Sequence, residues 1–129
     1  MAVAQVWKSS KFTIERNRGK TPGTIIFRLS RPFTARDMYG SLSPNELRNT
    51  FESEEDNDQH ALHILDLPEV PYMGSAGLEL IVSHYVRCQG RGVRLVMAGV
   101  SPRVLQLFEM AKVDKFFPRF ATVEEADRP

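Results

Sequence analysis

The spacing of apolar residues changes along this chain, and each change marks a different kind of element. Phe12-Thr13-Ile14-Glu15 alternates apolar with polar at a period of two, and Thr24-Ile25-Ile26-Phe27-Arg28-Leu29 is a β-prone run suited to a pleated, half-buried surface. Between them Asn17-Arg18-Gly19-Lys20-Thr21-Pro22-Gly23 carries turn chemistry, so the two runs are predicted to form a hairpin. Residues 1–10 hold few packing residues beyond Val3, Val6 and Trp7 and read as a partly ordered lead-in. Residues 30–42 read as a loop leading to Ser43-Pro44-Asn45-Glu46, a capping box with proline at the first helical position. A helix over about 44–52 is predicted to follow, with Leu47 and Phe51 on one face, and the acidic stretch 53–59 reads as a solvated loop.

From Ala61 the pattern becomes a βαβ unit. Residues 61–67 are apolar on both faces apart from His63 and Asp66, as an interior strand covered on both sides requires. Pro68-Glu69-Val70-Pro71-Tyr72-Met73 then leads into Gly74-Ser75-Ala76-Gly77-Leu78. These open a helix predicted to reach about Gln89, with Leu78, Ile81, Val82 and Tyr85 on its buried stripe and Gly90 as its C-terminal cap. Val93-Arg94-Leu95-Val96-Met97-Ala98 is the next strand, and a right-handed crossover makes it parallel to the first. Ser101-Pro102 starts a helix running to about Ala111 with Val104, Leu105 and Phe108 inward. Phe116-Phe117-Pro118-Arg119-Phe120 reads as a short terminal strand whose proline suits an edge, and Thr122-Val123-Glu124-Glu125 is a second capping box. The pattern predicts an α/β fold in one domain over residues 11–126, a small mixed β-sheet with α-helices packed on it. Partners of open α/β sheets gather outside the carboxyl ends of the strands, where Ser75 falls.

Composition narrows the function. A chain of 129 residues, 42% of them hydrophobic, suits one compact domain with a single core. Seventeen Lys and Arg against sixteen Asp and Glu leave a net charge of +1, so no direct nucleic-acid or membrane partner is expected on bulk charge. With no long apolar run and no leader pattern, a cytoplasmic location is expected. Cys88 is the only cysteine, which excludes an internal disulfide and a multi-cysteine metal site.

Ser75 is the residue to explain. A helix start has unpaired N–H groups and a partial positive charge, so a small hydroxyl there serves as a cap or as a carrier of phosphate. Gly74 beside it reads either as an open approach to that hydroxyl or as a tight turn at positive φ, and Gly77 as a close packing point. A hydrolase elbow would need glycine where Met73 stands. Of the candidate bases His60, His63 and His84, the last lies nine residues along the helix that Ser75 opens, roughly 13 Å away along its axis. No catalytic residue is therefore assigned. His60 and His63 point to opposite faces of a strand with no converging cysteine or carboxylate pair, so no metal and no cofactor is expected, and Cys88 reads as a packed small hydrophobe. Asp66 reads as a tie for the following turn or a helper in phosphoryl chemistry. Arg31 and Arg36 beside Phe33 and Tyr39 read equally as a partner-binding loop or as solvated charge.

The order of elements, with a serine at the start of the middle helix, resembles the STAS domain family, anti-sigma factor antagonist type. The residues that carry the resemblance are Leu65-Asp66-Leu67, Val70-Pro71-Tyr72-Met73-Gly74-Ser75-Ala76-Gly77-Leu78, Gly90-Arg91-Gly92-Val93-Arg94-Leu95-Val96 and Gly99-Val100-Ser101-Pro102. Phe108-Glu109-Met110-Ala111-Lys112-Val113-Asp114-Lys115-Phe116-Phe117 and Thr122-Val123-Glu124-Glu125-Ala126 continue it. The resemblance implies a non-enzymatic switch that binds an anti-sigma factor with serine kinase activity and so regulates sigma-factor-dependent transcription. It also implies phosphorylation of Ser75 by that kinase, with a serine phosphatase as a further partner. The implied partner-binding residues are Met73, Gly74, Ser75, Ala76 and Gly77, with Arg31, Phe33 and Thr34 in the loop after the second strand. In the family the helix usually opens Asp-Ser-Ser-Gly or Asp-Ser-Thr-Gly; here Gly74 replaces the acid and Ala76 the second hydroxyl. Ser30-Arg31-Pro32-Phe33-Thr34 likewise stands in place of the family's Gly-Glu-Leu-Asp. An unphosphorylated STAS scaffold, or a regulatory module of another complex, is the alternative that these departures favour.

Overall fold

The computed structural model describes residues 5–8, 13–30 and 62–127. Among the described residues six strands form one sheet in the order in which they occur along the chain: β1 (Gln5–Lys8), β2 (Thr13–Arg18), β3 (Thr24–Ser30), β4 (Leu62–Glu69), β5 (Arg94–Ala98) and β6 (Arg119–Phe120). β1 pairs with β2 and β2 with β3 antiparallel, whereas β3, β4, β5 and β6 are parallel, so the sheet is mixed as the residue pattern predicts. The helix expected over 44–52, the loops around it, and Arg31, Phe33 and Thr34 lie outside the described residues.

The β2–β3 hairpin is the one predicted, with a shorter turn. Pairing continues to Arg18 opposite Ile25, and the chain reverses where the Gly19 N–H donates to the Thr24 carbonyl at 2.9 Å. Gly23 takes φ 84°, a left-handed conformation that side chains resist. Gln5–Lys8 pairs with β2 and forms the edge of the sheet, where the sequence predicts no strand.

β4 lies at the centre, and its alternation divides the core in two. Leu65 and Leu67 face one side with Ile25, Phe27, Leu29, Leu95 and Met97, beneath α1 (Ser75–Gly90) and α2 (Pro102–Met110). Ile64 faces the other side with Val96 and Ala98, under the short α3 (Val123–Ala126). Coverage on both faces explains why β4 reads as nearly continuous apolar sequence. Phe108 of α2 meets Phe117 edge to face, with ring centroids 5.3 Å apart, just before β6.

Helix ends explain the remaining differences from the sequence reading. α1 runs through Gly90, so Gly90 is not its cap; Gly92, at φ 71°, is the left-handed residue. Its N–H donates to the Gln89 carbonyl at 3.3 Å and the Val93 N–H to the Cys88 carbonyl at 2.8 Å, a Schellman ending. Lys112 plays the same part after α2 at φ 61°, with Val113 N–H donating to the Phe108 carbonyl. The Ser101 hydroxyl accepts the Val104 N–H, and the Thr122 hydroxyl accepts the Glu125 N–H, as the two caps require. Beyond α3, the Asp127 carboxylate accepts the N–H groups of Lys20 and Thr21 and clasps the chain to the β2–β3 turn.

Candidate functional site

The site is built by the turn from β4 into α1. Val70 N–H donates to the Leu67 carbonyl at 3.1 Å and turns the chain off the sheet. Val70 and Met73 are buried and anchor the connection at two points, while Pro71 and Tyr72 stand exposed between them. The Arg103 guanidinium at the start of α2 lies 4.8 Å from the Tyr72 ring centroid, a cation–π contact. Gly99, at φ 69°, completes the rim after β5: a Cβ there would sit 3.0 Å from Pro68 Cδ.

Gly74, not Ser75, is the N-cap of α1. Its backbone is extended, with φ −96° and ψ 175°, and its carbonyl accepts the Leu78 N–H at 3.1 Å. The positive φ that the sequence allowed for Gly74 is therefore absent, as is the capping role it allowed for Ser75. Ser75 is the first helical residue, exposed, and its hydroxyl makes no hydrogen bond among the described residues. The N–H groups of Ser75, Ala76 and Gly77 precede the first intrahelical bond, and the first turn carries no acidic side chain. The helix start thus presents positive potential beside an open hydroxyl.

The five residues singled out from sequence here do not share one surface. Met73 and Gly77 are turned into the core, Ala76 is half-buried against it, and Gly74 and Ser75 remain to meet a partner. Tyr72, two residues before the cap, and Arg103 stacked on its ring were not foreseen; the exposed aromatic so near the cap is the signal that could have found them. Asp66 alternates with Leu65 and Leu67 and so shares the face of β4 on which Ile64 lies, opposite α1. It sits within β4 with its carboxylate 3.8 Å from Arg28 on β3, and burial pushes that carboxyl above its ordinary value although Arg28 pulls it down.

The buried stripe of α1 is rotated from the expected one: Gly77, Leu78, Ile81, His84 and Cys88 are buried, with Val82 and Tyr85 at its margin. This brings His84 and Cys88 against His63 of β4, a convergence the sequence reading excluded. His63 Nδ1 lies 2.9 Å from His84 Nε2, and the Cys88 Sγ lies 3.8 Å and 3.5 Å from these two atoms. The Phe27 ring packs on both imidazoles, at centroid distances of 5.2 and 5.5 Å. Burial and the neighbouring His63, Arg87, Arg91 and Arg16 push His84 down to about 2, so it is neutral, and burial pushes the Cys88 thiol up to about 11. His84 is held in this cluster nine residues along α1 from Ser75, roughly 13 Å along the helix axis. Among the described residues no helix is long and apolar enough to cross a membrane.

Known structures share this architecture. A sulfate transporter family protein from Wolinella succinogenes superposes with a TM-score of 0.67 at 19% identity, covering 82% of this chain and 83% of that one. The anti-sigma factor antagonist SpoIIAA in its unphosphorylated form gives 0.66 at 18% identity, covering 96% and 92%. An anti-sigma factor antagonist from Mycobacterium paratuberculosis gives 0.63 at 15% identity, covering 98% and 91%. A comparison with curated proteins finds no match. The STAS domain model matches residues 16–126, from β2 to the last residue of α3, and the chain belongs to the STAS domain family.

Proposed function

We propose that this STAS domain is an anti-sigma factor antagonist, a non-enzymatic cytoplasmic switch set by phosphate on Ser75. Unphosphorylated, it binds an anti-sigma factor with serine kinase activity and releases the sigma factor; a serine phosphatase resets it. The observation that carries this reading is the Ser75 hydroxyl, exposed on the first residue of α1 and relieved of capping by Gly74. Phosphate there adds a charge of about −1.5 to −2, which the helix start stabilises in the free protein and which a partner would have to desolvate. About 3 kcal/mol of unfavourable burial weakens binding roughly a hundredfold. Gly74, Ser75, Ala76 and Tyr72 would form the contact, with Arg31, Phe33 and Thr34, which follow β3 in the sequence, contributing to it.

The second reading, a STAS scaffold that is never phosphorylated, is favoured by Gly74 and Ala76 in place of the family's acid and second hydroxyl. The likeness to a sulfate transporter family protein also suits it. Incubation with the co-purifying kinase and ATP, followed by intact-mass analysis and peptide mapping, separates the two. One phosphate on Ser75, with binding weakened in Ser75→Asp and retained in Ser75→Ala, is the expected result. No phosphate where that kinase modifies its other substrates, or equal affinity for all three forms, overturns the switch.

A further inference from the structure

We propose that His63, His84 and Cys88 form a metal site for a zinc-type divalent cation, tying α1 to the central strand. The three donor atoms all lie within 4.8 Å of one another, on residues that are each buried. A circle through His63 Nδ1, His84 Nε2 and Cys88 Sγ has a radius of about 2.0 Å, against Zn–N of about 2.0–2.1 Å and Zn–S of about 2.3 Å. A cation slightly out of their plane meets all three once the two imidazoles, which face each other nearly head-on with ring centroids 5.1 Å apart, each turn toward it. Two of the ligands are supplied by one helix four residues apart, on the same face, and the third by the strand beneath, so the backbone already holds them in place. Position 63 shares its side of β4 with Leu65 and Leu67, and positions 84 and 88 share theirs with Ile81. Aliphatic residues would fill these places in a purely packed core.

The donor set selects the cation. Two imidazoles and a thiolate suit zinc and its neighbours, whereas calcium and magnesium take oxygen ligands. Binding breaks the Cys88 S–H bond and releases its proton to solvent. The proton shared between His63 and His84 moves to the far nitrogen of whichever ring carries it, leaving both facing lone pairs for the cation.

Cobalt(II) is the probe. The untagged, chelator-treated chain, kept reduced, is titrated with Co2+ and watched for a thiolate-to-cobalt charge-transfer band. Because Cys88 is the only cysteine, such a band assigns itself to that sulfur. The expected result is saturation at one equivalent, displacement of cobalt by Zn2+, loss of the band in Cys88→Ala, affinity weakened more than tenfold in His63→Ala and His84→Ala, and no change in His60→Ala. Should a core variant fail to fold, X-ray absorption of the zinc-loaded wild-type chain decides, with one sulfur and two imidazole nitrogens expected. Absence of the thiolate band, unchanged affinity in folded His63→Ala or His84→Ala, or a zinc shell without sulfur overturns the proposal.

Discussion

Gly74→Asp puts a carboxylate on the N-cap of α1 and tests how that helix start works. The native φ of −96° and ψ of 175° are extended values that any residue adopts, so the backbone sets no penalty. Three contributions favour the variant. Aspartate caps better than glycine by a few tenths of a kcal/mol. A negative charge beside a first turn with no acidic residue adds about 0.3–1 kcal/mol. Loss of glycine's freedom in the unfolded chain adds about 0.4–1 kcal/mol. Together these stabilise the fold by roughly 1–2 kcal/mol, a rise of about 0.5–1 M in the urea midpoint for an m-value near 2 kcal/mol/M. If an acid at this position also presents Ser75 to the kinase, phosphate incorporation into Gly74→Asp is faster than into the wild type. A second signature follows from competition: phosphate on Ser75 raises the wild-type midpoint, and raises it less in Gly74→Asp, where a carboxylate already occupies the same N–H groups. Urea denaturation of both chains, with and without phosphate, reads the midpoint shifts, and intact-mass analysis of a kinase time course reads the rate of incorporation. A midpoint lowered by the aspartate would refute the reasoning, because a clash at the cap would then outweigh all three terms.

Phe108→Ala removes a fully buried ring that meets Phe117 and is expected to cost about 3–5 kcal/mol in chemical denaturation. Lys112→Gly replaces a side chain at φ 61° in the ending of α2 and is expected to raise the unfolding free energy by about 0.5–1 kcal/mol, read as a higher urea midpoint. Asp127→Ala removes the clasp on Lys20 and Thr21 and is expected to cost about 1 kcal/mol, reduced by solvent screening of a largely exposed carboxylate. Burial pushes that carboxyl up, but the N–H groups of Lys20 and Thr21 outweigh it and hold it below its ordinary 3.8. Its contribution is thus present above pH 3.8 and is lost as pH falls through the lower folded value; denaturation curves for wild type and Asp127→Ala should converge in acid.

The parallel unit from β4 through β5 was legible because its signals agree: a doubly covered strand, a helical stripe, then another apolar strand. Ser101 and Thr122 were legible as caps because their side chains do the capping. Gly74 was not, since a glycine caps through its backbone alone and Ser75 beside it is the more familiar cap residue. The ending of α1 was misplaced by two residues because Gly90 and Gly92 are both glycines, and only the backbone says which one is left-handed. The cluster of His63, His84 and Cys88 escaped because a stripe chosen by hydrophobicity passes over His84. A rotation of the helix by less than one residue's turn carries that histidine inward. Tyr72 and Arg103 belong to different elements, and their meeting depends on how α2 lies against the loop.

The clasp made by Asp127 fixes where the molecule can be held by hand. It grips the turn that precedes β3, at the amino ends of the parallel strands, while Ser75 stands beyond their carboxyl ends. Eight residues of β4 separate these ends by roughly 25 Å. A tether or fluorophore attached beyond Asp127 therefore leaves the start of α1 facing solution, and surface-immobilised binding measurements on that end report the α1 encounter without steric shadow from the chip.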